Sequence, residues 1–339
     1  MIPIRVGLLG LGRLGRQIYG LALRDSRFDI ALVVENGQPK VLHHLLQKSI
    51  GAGAKVALDS NYLISGSMKS RLIAASDVAA IPWDALGVDV VIDASEQHYA
   101  IDDIEPYINN GAKRVILSAL PSGEVDRVLL RGINDADARL SDRIISAGSS
   151  STNAAALALK VMLGAFQIEH ASMTSVHAYT SDQRLQDDAG QDYRRSRSGA
   201  NNIVPNATPA LFWIQRCLPE LNGRLTGYAL NVPVQAGSML DLDISLSHPI
   251  DDVSTLRELF LTAEKGMPSL IETTSDPVVS SDVKGRSCSL LVDLQGMSRS
   301  GRRLVKVLGW HETLGHAQRM LEVAQLYHQL SSIDLKLSE

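Results

Sequence analysis

Cysteine is nearly absent from this chain, whose 339 residues include only Cys217 and Cys288. Two cysteines cannot make a disulfide framework, and they indicate no cysteine-rich metal cluster. This low count is typical of a protein kept in a reducing compartment. We therefore expect a cytoplasmic protein with no bound metal.

The chain also lacks an excess of charge and a long apolar run. Its formal net charge is -4. The chain therefore has no excess of basic residues that would indicate nucleic-acid binding, and no polybasic cluster that would indicate binding to a membrane surface. No apolar stretch approaches the roughly 18 to 20 residues of a membrane span. Because Met1–Arg5 leads directly into a strand pattern, we expect no targeting segment.

What is present is the composition of a globular protein, with 45% hydrophobic and 21% charged residues. The length suffices for about two domains with a large core. Length and composition do not indicate a particular activity, so the evidence for one comes from sequence motifs.

The clearest motif is a glycine-rich turn near the start. The apolar run Ile4–Leu9 precedes Gly10, Gly12 and Gly15, a helical pattern follows, and a second strand pattern ends at Glu35. This context is the dinucleotide fingerprint, in which glycines admit the pyrophosphate and the acid binds ribose hydroxyls. The alternative is that the glycines only permit tight packing. Glu35 would repel a 2′-phosphate, which favours NAD over NADP.

Strand and helix patterns alternate as far as residue 150, which predicts a mostly parallel sheet with helices on both faces. Ligand contacts are expected where such strands end. After the glycine turn, the predicted strands are Val88–Asp93 and Gly111–Ser118, the predicted helix is Ile101–Ile108, and the predicted hairpin is Leu63–Lys69. The predicted cofactor contacts are Gly10, Gly12, Arg13, Leu14, Gly15, Glu35, Ser95 and Ser118.

Longer, alternating strands follow residue 165 and predict a second domain built on an antiparallel sheet. They cover Ala171–Thr180, Thr226–Val234, Met239–Leu246, Cys288–Leu294 and Leu304–Trp310, with a helix at Val253–Glu264. The fold class is thus α/β followed by α+β. We assign residues 1–150 to the first domain, completed by a C-terminal helix over 314–332, and residues 151–313 to the second.

A serine-rich run, Ser146–Asn153, lies just before the apolar periodic stretch Ala154–Leu163. A side chain there sits at the positive end of a helix, where a thiol would be partly ionised but a hydroxyl stays protonated without a strong base. The candidate base is His177. The simpler interpretation is an ordinary helix cap.

The whole chain, from about residue 3 to 330, resembles the glyceraldehyde-3-phosphate dehydrogenase family, particularly its bacterial type and the related erythrose-4-phosphate dehydrogenase. The motifs that carry the resemblance are Gly7–Arg16, Gly111–Ser118, Ser146–Asn153, Ser175–Arg184, Asp192–Arg197, Asn202–Pro205 and Leu218–Gly227.

The resemblance implies an N-terminal Rossmann domain that binds NAD and a C-terminal catalytic domain. In the family a cysteine thiolate attacks the aldehyde, and a histidine serves as base and acid. The cysteine position falls on Ser150, between Ser149 and Ser151, and the histidine position falls on His177.

The anion sites of the family are only partly kept. Thr180, Arg195 and Thr208 match, whereas a glycine is replaced by Pro209 and an arginine by Asn231. Proline lacks an N–H donor and asparagine lacks the positive charge, so we expect weak affinity for a phosphorylated aldehyde. The predicted substrate residues are Ser149, Ser151, Thr180, Arg195, Thr208 and Asn231.

Three interpretations stay open. His177 could act as proton donor in a direct, noncovalent oxidoreduction of an aldehyde or oxo group. Ser150 could attack and form an ester, or the chain could be an inactive NAD-binding paralogue with a regulatory or partner-binding role. The segment 184–197 resembles the loop at subunit interfaces of tetrameric relatives, which implies a homotetramer, with a dimer as the alternative.

Overall fold

The computed structural model describes residues 2–51, 53–74, 78–95, 100–180, 183–190 and 192–338. Ser181 and Asp182 of the His177 motif, and Gln191 of the predicted interface loop, lie outside these residues. The chain forms two compact units, residues 1–148 with 316–339 and residues 149–315. Within the described part, no helix combines the length and apolar character needed to cross a membrane.

The first unit contains a nine-stranded sheet. Its strands are β1 (Ile4–Leu9), β2 (Phe28–Val34), β3 (Ala57–Asp59), β4 (Tyr62–Ser65), β5 (Met68–Ile73), β6 (Val90–Asp93), β7 (Val115–Leu117), β8 (Arg127–Val128) and β9 (Ile144–Ser146). Its helices are α1 (Arg13–Ala22), α2 (Pro39–Ile50), α3 (Ile101–Asn109) and most of α7 (Thr313–Ser338), with short 3₁₀ turns at Val78–Ala80 and Asp135–Asp137.

The order of this sheet is β3-β4-β5-β2-β1-β6-β7-β9-β8. All neighbours pair in parallel except β3 with β4 and β4 with β5, which form the predicted hairpin region. Apolar clusters cover both faces, one including Ile18 and Tyr327 and the other Trp83 and Tyr107. The predicted parallel α/β sheet is therefore confirmed.

One predicted strand begins later in the structure than expected, and some elements were not predicted. The strand expected from Gly111 begins only at Val115, because Gly111 has φ +93° and ends α3, where Ala112 N donates to Tyr107 O at 3.0 Å. Helix α2 was not predicted. Pro39 in its first turn and the buried Leu42 and Leu46, four residues apart, carry its sequence signal.

The second unit contains a seven-stranded sheet. Its strands are β10 (Ile168–Ala178), β11 (Val204–Asn206), β12 (Leu225–Val232), β13 (Ser238–Leu246), β14 (Ile271–Thr274), β15 (Leu290–Ser300) and β16 (Leu304–His311). Its helices are α4 (Ser150–Ala165), α5 (Ala210–Cys217) and α6 (Ser254–Gly266), with 3₁₀ turns at Pro219–Leu221 and Ser280–Val283.

The order of the second sheet is β11-β12-β10-β13-β16-β15-β14. It is antiparallel in its centre, as predicted, but β10 pairs in parallel with β12 and β14 with β15. A parallel neighbour requires a long crossover, and the chain between β10 and β12 supplies one that carries α5. The second sheet is therefore mixed. Helix α4 packs against β10, β13, β15 and β16.

Candidate active site

The glycine turn between β1 and α1 is closely packed at two glycines and open at the third. A Cβ on Gly15 would lie 2.0 Å from Gly10 O, and Gly10 itself has φ +84°. A Cβ on Gly12 would meet no heavy atom within 4 Å. Gly12 also begins α1 without a side-chain cap. This arrangement fits a pyrophosphate, which the open helix N-terminus can bind.

The other predicted residues of the turn contribute in different ways. Leu14 is buried in the apolar core, so only its backbone faces the turn, whereas Arg13 is exposed. Glu35 ends the second strand pattern, and its Oε2 accepts a hydrogen bond from Leu11 N at 2.8 Å. Each carboxylate oxygen accepts more than one hydrogen bond. Glu35 can therefore support the turn and still accept ribose hydroxyls.

Buried polar atoms lie at the ends of β6 and β7. Ser95 Oγ donates to Asp93 Oδ1 at 2.6 Å. Ser118 O accepts a hydrogen bond from His316 Nε2 at 2.8 Å, while Ser118 Oγ and His316 Nδ1 have no hydrogen-bond partner among the described residues. Burial lowers the pKa of His316 to about 4. Ser118 Oγ can donate or accept a hydrogen bond and His316 Nδ1 can accept one, so each atom can bind a polar group of a ligand.

In the second unit, the serine run forms the N-terminus of α4. Ser149 is the cap residue, since its Oγ accepts a hydrogen bond from Thr152 N at 3.2 Å and contacts Ser151 Oγ at the same distance. Ser150 is the first helical residue and is half-buried. The capping interpretation therefore applies to Ser149. Because Ser150 does not cap the helix, capping gives no reason for a serine at position 150.

His177 lies near the end of β10, in a row of polar side chains across the sheet. It pairs with Asn231 of β12, and Ser238 of β13 pairs with His311 of β16. Between them, Ser238 Oγ accepts a hydrogen bond from Ala178 N at 3.3 Å. The buried positions of β13 and β16 alternate through these residues. The row therefore lies on the covered face of the sheet.

The ring of His177 has a defined tautomer. Its Nδ1 lies 2.6 Å from Ala178 O, and a carbonyl oxygen only accepts hydrogen bonds, so Nδ1 carries the proton. The lone pair then resides on Nε2. This is the arrangement that a general base requires.

His311 faces His177 and was not among the predicted site residues. The two ring centroids lie 6.0 Å apart, with the planes tilted by 57°. Burial, and then the positive charge of a protonated His177, lowers the pKa of His311 to about 3. It is neutral at pH 7. In the sequence, His311 could have been noticed as a polar residue on the same face of its strand as the buried Val305 and Val307.

Asn231 belongs to a cluster of neutral amides with Gln183 and Asn206, which we call the amide cluster. Asn231 Nδ2 donates to Gln183 Oε1, and Asn206 Nδ2 donates to Asn231 Oδ1 at 2.8 Å. Thr180 N also donates to Gln183 Oε1, at 3.3 Å. Asn231 is therefore held by two neutral amide side chains. Gln183 and Asn206 were missed because an isolated amide in a loop or short strand carries no motif.

The other predicted anion residues lie on loops and a helix end. Thr208 Oγ1 accepts a hydrogen bond from Ala210 N at 3.2 Å, next to Pro209 at the N-terminus of α5. Arg195 is exposed, and its backbone N donates to Asp192 Oδ1 at 2.8 Å. The structure thus brings Thr180 and Asn231 together through Gln183.

The two units together define a class of protein, the two-domain dehydrogenases, in which a dinucleotide-binding sheet is joined to a separate catalytic sheet. Comparison with known families makes this specific. Residues 4–99 match the NAD-binding domain of glyceraldehyde 3-phosphate dehydrogenase, and residues 149–313 match its C-terminal domain. The chain belongs to the glyceraldehyde-3-phosphate dehydrogenase family of NAD(P)-dependent dehydrogenases.

Full-length relatives support this assignment. The chain is 35% identical over 332 residues to glyceraldehyde-3-phosphate dehydrogenase 2 of Streptomyces arenae, covering 96% of this chain and 98% of the relative. It is 36% identical over 333 residues to glyceraldehyde-3-phosphate dehydrogenase 1 of Streptomyces avermitilis, with the same coverage. Identity to glyceraldehyde-3-phosphate dehydrogenase 1 of Bacillus subtilis is 32% over 329 residues, covering 95% and 98% of the two chains.

Proposed function

We propose that this protein is an NAD-dependent oxidoreductase that acts on an aldehyde or oxo group through His177, without a covalent thioester step. The observation that carries the proposal is Ser150 at the first position of α4, where the resemblance places the cysteine. A helix N-terminus lowers a thiol pKa into the neutral range but leaves a serine hydroxyl protonated. Attack by Ser150, giving an ester, is therefore the less favoured route.

His177 supplies the proton chemistry in this proposal. With Nδ1 held by Ala178 O, Nε2 can take a proton from an alcohol or, when protonated, give one to a carbonyl oxygen. A bound nicotinamide dinucleotide would supply the hydride acceptor or donor.

The proposed cofactor residues are those of the glycine turn and the strand ends, and Glu35 supports NAD over NADP. Its carboxylate accepts from Leu11 N, so a 2′-phosphate would lie beside a fixed negative charge. Titration with NADH and NADPH, followed by nucleotide fluorescence, tests this preference. Equal affinity for both would contradict it.

A phosphorylated aldehyde is a possible substrate with weakened affinity. We propose that Ser149, Ser151, Thr180, Arg195 and Thr208 contribute to its binding, with Asn231 in place of a charged residue. A hydrogen bond to a charged group is worth about 1.5–3 kcal/mol, so the missing arginine would reduce affinity roughly ten- to a hundredfold.

The first test uses glyceraldehyde 3-phosphate, NAD and inorganic phosphate. We expect no phosphate-dependent formation of NADH, or only traces, from the purified protein. The double variant Ser150→Cys, Asn231→Arg should gain this activity if the losses are local. Strong phosphate-dependent activity in the unchanged protein would refute the proposal that the reaction proceeds without a thioester.

The second test distinguishes an enzyme from an inactive paralogue. NADH oxidation is followed with aldehydes, and His177→Asn should abolish it. The matched control is His170→Gln, an exposed histidine near the other end of β10, which should leave the rate unchanged. If NADH binds but no aldehyde is turned over, the protein is an NAD-binding paralogue with a regulatory or partner-binding role.

We also propose a cytoplasmic homotetramer, with a dimer as the alternative. Support comes from the predicted interface loop, where Leu185 and Tyr193 are 64% and 96% exposed. These exposed apolar side chains are available for contact with another subunit, which the resemblance of the loop implies. Light scattering coupled to size exclusion measures the mass, and a monomer at micromolar concentration would refute the assembly.

A further inference from the structure

His311 is the buried polar side chain of the second unit whose hydrogen bonding is least accounted for. It is 2% exposed, and neither ring nitrogen has a hydrogen-bond partner among the described residues. The adjacent Trp310 shows the usual behaviour, because its Nε1 donates to Asp293 Oδ2 at 3.3 Å. Buried polar groups are normally paired. Two unpaired nitrogens on one ring leave one donor and one acceptor available to a bound water or a ligand.

His177 is the ring next to His311, so a ligand bound to the His311 nitrogens would lie beside it. A direct hydrogen bond between two imidazole rings brings their nitrogens within about 3 Å, which the 6.0 Å between these ring centroids does not allow in the observed orientation. One oxygen atom that accepts from both rings at about 2.9 Å permits nitrogens up to about 5.8 Å apart. The separation of the two rings is compatible with one shared oxygen.

The charge states of the two rings are complementary for this task. Buried His311 is neutral at pH 7, so it presents one N–H donor and one lone pair. His177 has its Nδ1 proton directed at Ala178 O. His311 can therefore donate a hydrogen bond without competing for the proton that His177 transfers.

We propose that His311 is a second catalytic residue, whose ring N–H donates a hydrogen bond to the oxo or hydroxyl oxygen on which His177 acts. This rests on the proposed function. In the reductive direction, a bound reduced nicotinamide would supply the hydride, with its two electrons, to the carbonyl carbon. Protonated His177 would give its Nε2 proton to the oxygen, and an alcohol would be released. His311 keeps its own proton throughout and stabilises negative charge on the oxygen.

The proposal also defines the substrate class. The side chains that flank His177 are the neutral imidazole of His311 and, on the neighbouring strand β12, Asn231 of the amide cluster. Hydrogen bonds to neutral donors suit a small uncharged hydroxyaldehyde or hydroxyketone. D-glyceraldehyde is such a compound, and its 3-phosphate is the matched charged comparison.

The test records ring ¹⁵N signals of labelled histidines while D-glyceraldehyde is added to the full protein without cofactor. The signals are assigned with His177→Asn and His311→Phe. We expect both rings to shift together with one dissociation constant. His311→Phe should raise that constant about tenfold, the effect of one lost hydrogen bond, whereas His311→Gln, which keeps an N–H, should stay within about threefold. His170→Gln should change nothing.

Several outcomes overturn the proposal: a shift of His177 alone, equal losses in the Phe and Gln variants, or no binding of D-glyceraldehyde. The shift in the unchanged protein needs no variant, so a misfolded variant does not remove the test. If both rings respond but NADH is never oxidised, the oxidoreductase proposal fails and the contact stands. If NADH is oxidised while the His311 signal is unmoved, the contact fails alone.

Discussion

Acidification from pH 7 to pH 5 should destabilise this protein through two buried histidines. Burial lowers the pKa of His311 to about 3 and that of His316 to about 4, from an ordinary value of 6.5. Each histidine is therefore neutral when folded and takes up a proton on unfolding below pH 6.5. Their contribution is fully present above pH 6.5 and is lost as the pH falls from there toward the folded pKa.

The magnitude follows from the shift. At pH 5, about 1.5 units below the ordinary histidine pKa, protonation stabilises the unfolded state by about 2 kcal/mol for each histidine. The two histidines together therefore lower the free energy of unfolding by about 4 kcal/mol relative to pH 7. Carboxyl groups that hydrogen bonds hold at a lowered pKa, such as Asp25 and Asp252, titrate below 3.8 and lie outside this window.

Urea unfolding at both pH values, followed by tryptophan fluorescence, measures the free energy of unfolding. His311→Phe should lose about 2 kcal/mol less than the unchanged protein between pH 7 and pH 5. The matched control is Val307→Ala on the same strand and face, which lowers stability at both pH values equally because it removes no titrating group. A His311→Phe protein with the full pH dependence would refute the reasoning.

Three further substitutions test single contacts. Gly12→Ala should keep the free energy of unfolding within about 1 kcal/mol, because its Cβ meets no atom within 4 Å, yet weaken NADH binding at least about tenfold in fluorescence titration. Ser149→Ala should cost about 1 kcal/mol in urea unfolding, since Thr152 N loses its cap. Asn231→Ala should cost about 1–3 kcal/mol by the same assay, because Gln183 and Asn206 lose a partner.

Much of the first unit was predictable because its signals are local. The glycine turn, the strand before it and the strand ending at Glu35 are contiguous, and each follows from residue type and periodicity. The strand predicted from Gly111 begins later in the structure, for a reason that hydrophobic periodicity does not detect. A glycine at positive φ ends a helix, and the apolar residues after it then start a shorter strand.

The sequence by itself determined the fold class, the dinucleotide turn, the serine at position 150 and the histidine at position 177, because each is read from residues close together in the chain. Only the tertiary structure decided which partners they meet. Ser149 rather than Ser150 caps α4, Asn231 is held by Gln183 and Asn206, and His311 lies beside His177. Strand register brings His311 beside His177, although more than a hundred residues separate them in the chain, and no local pattern encodes that backbone pairing.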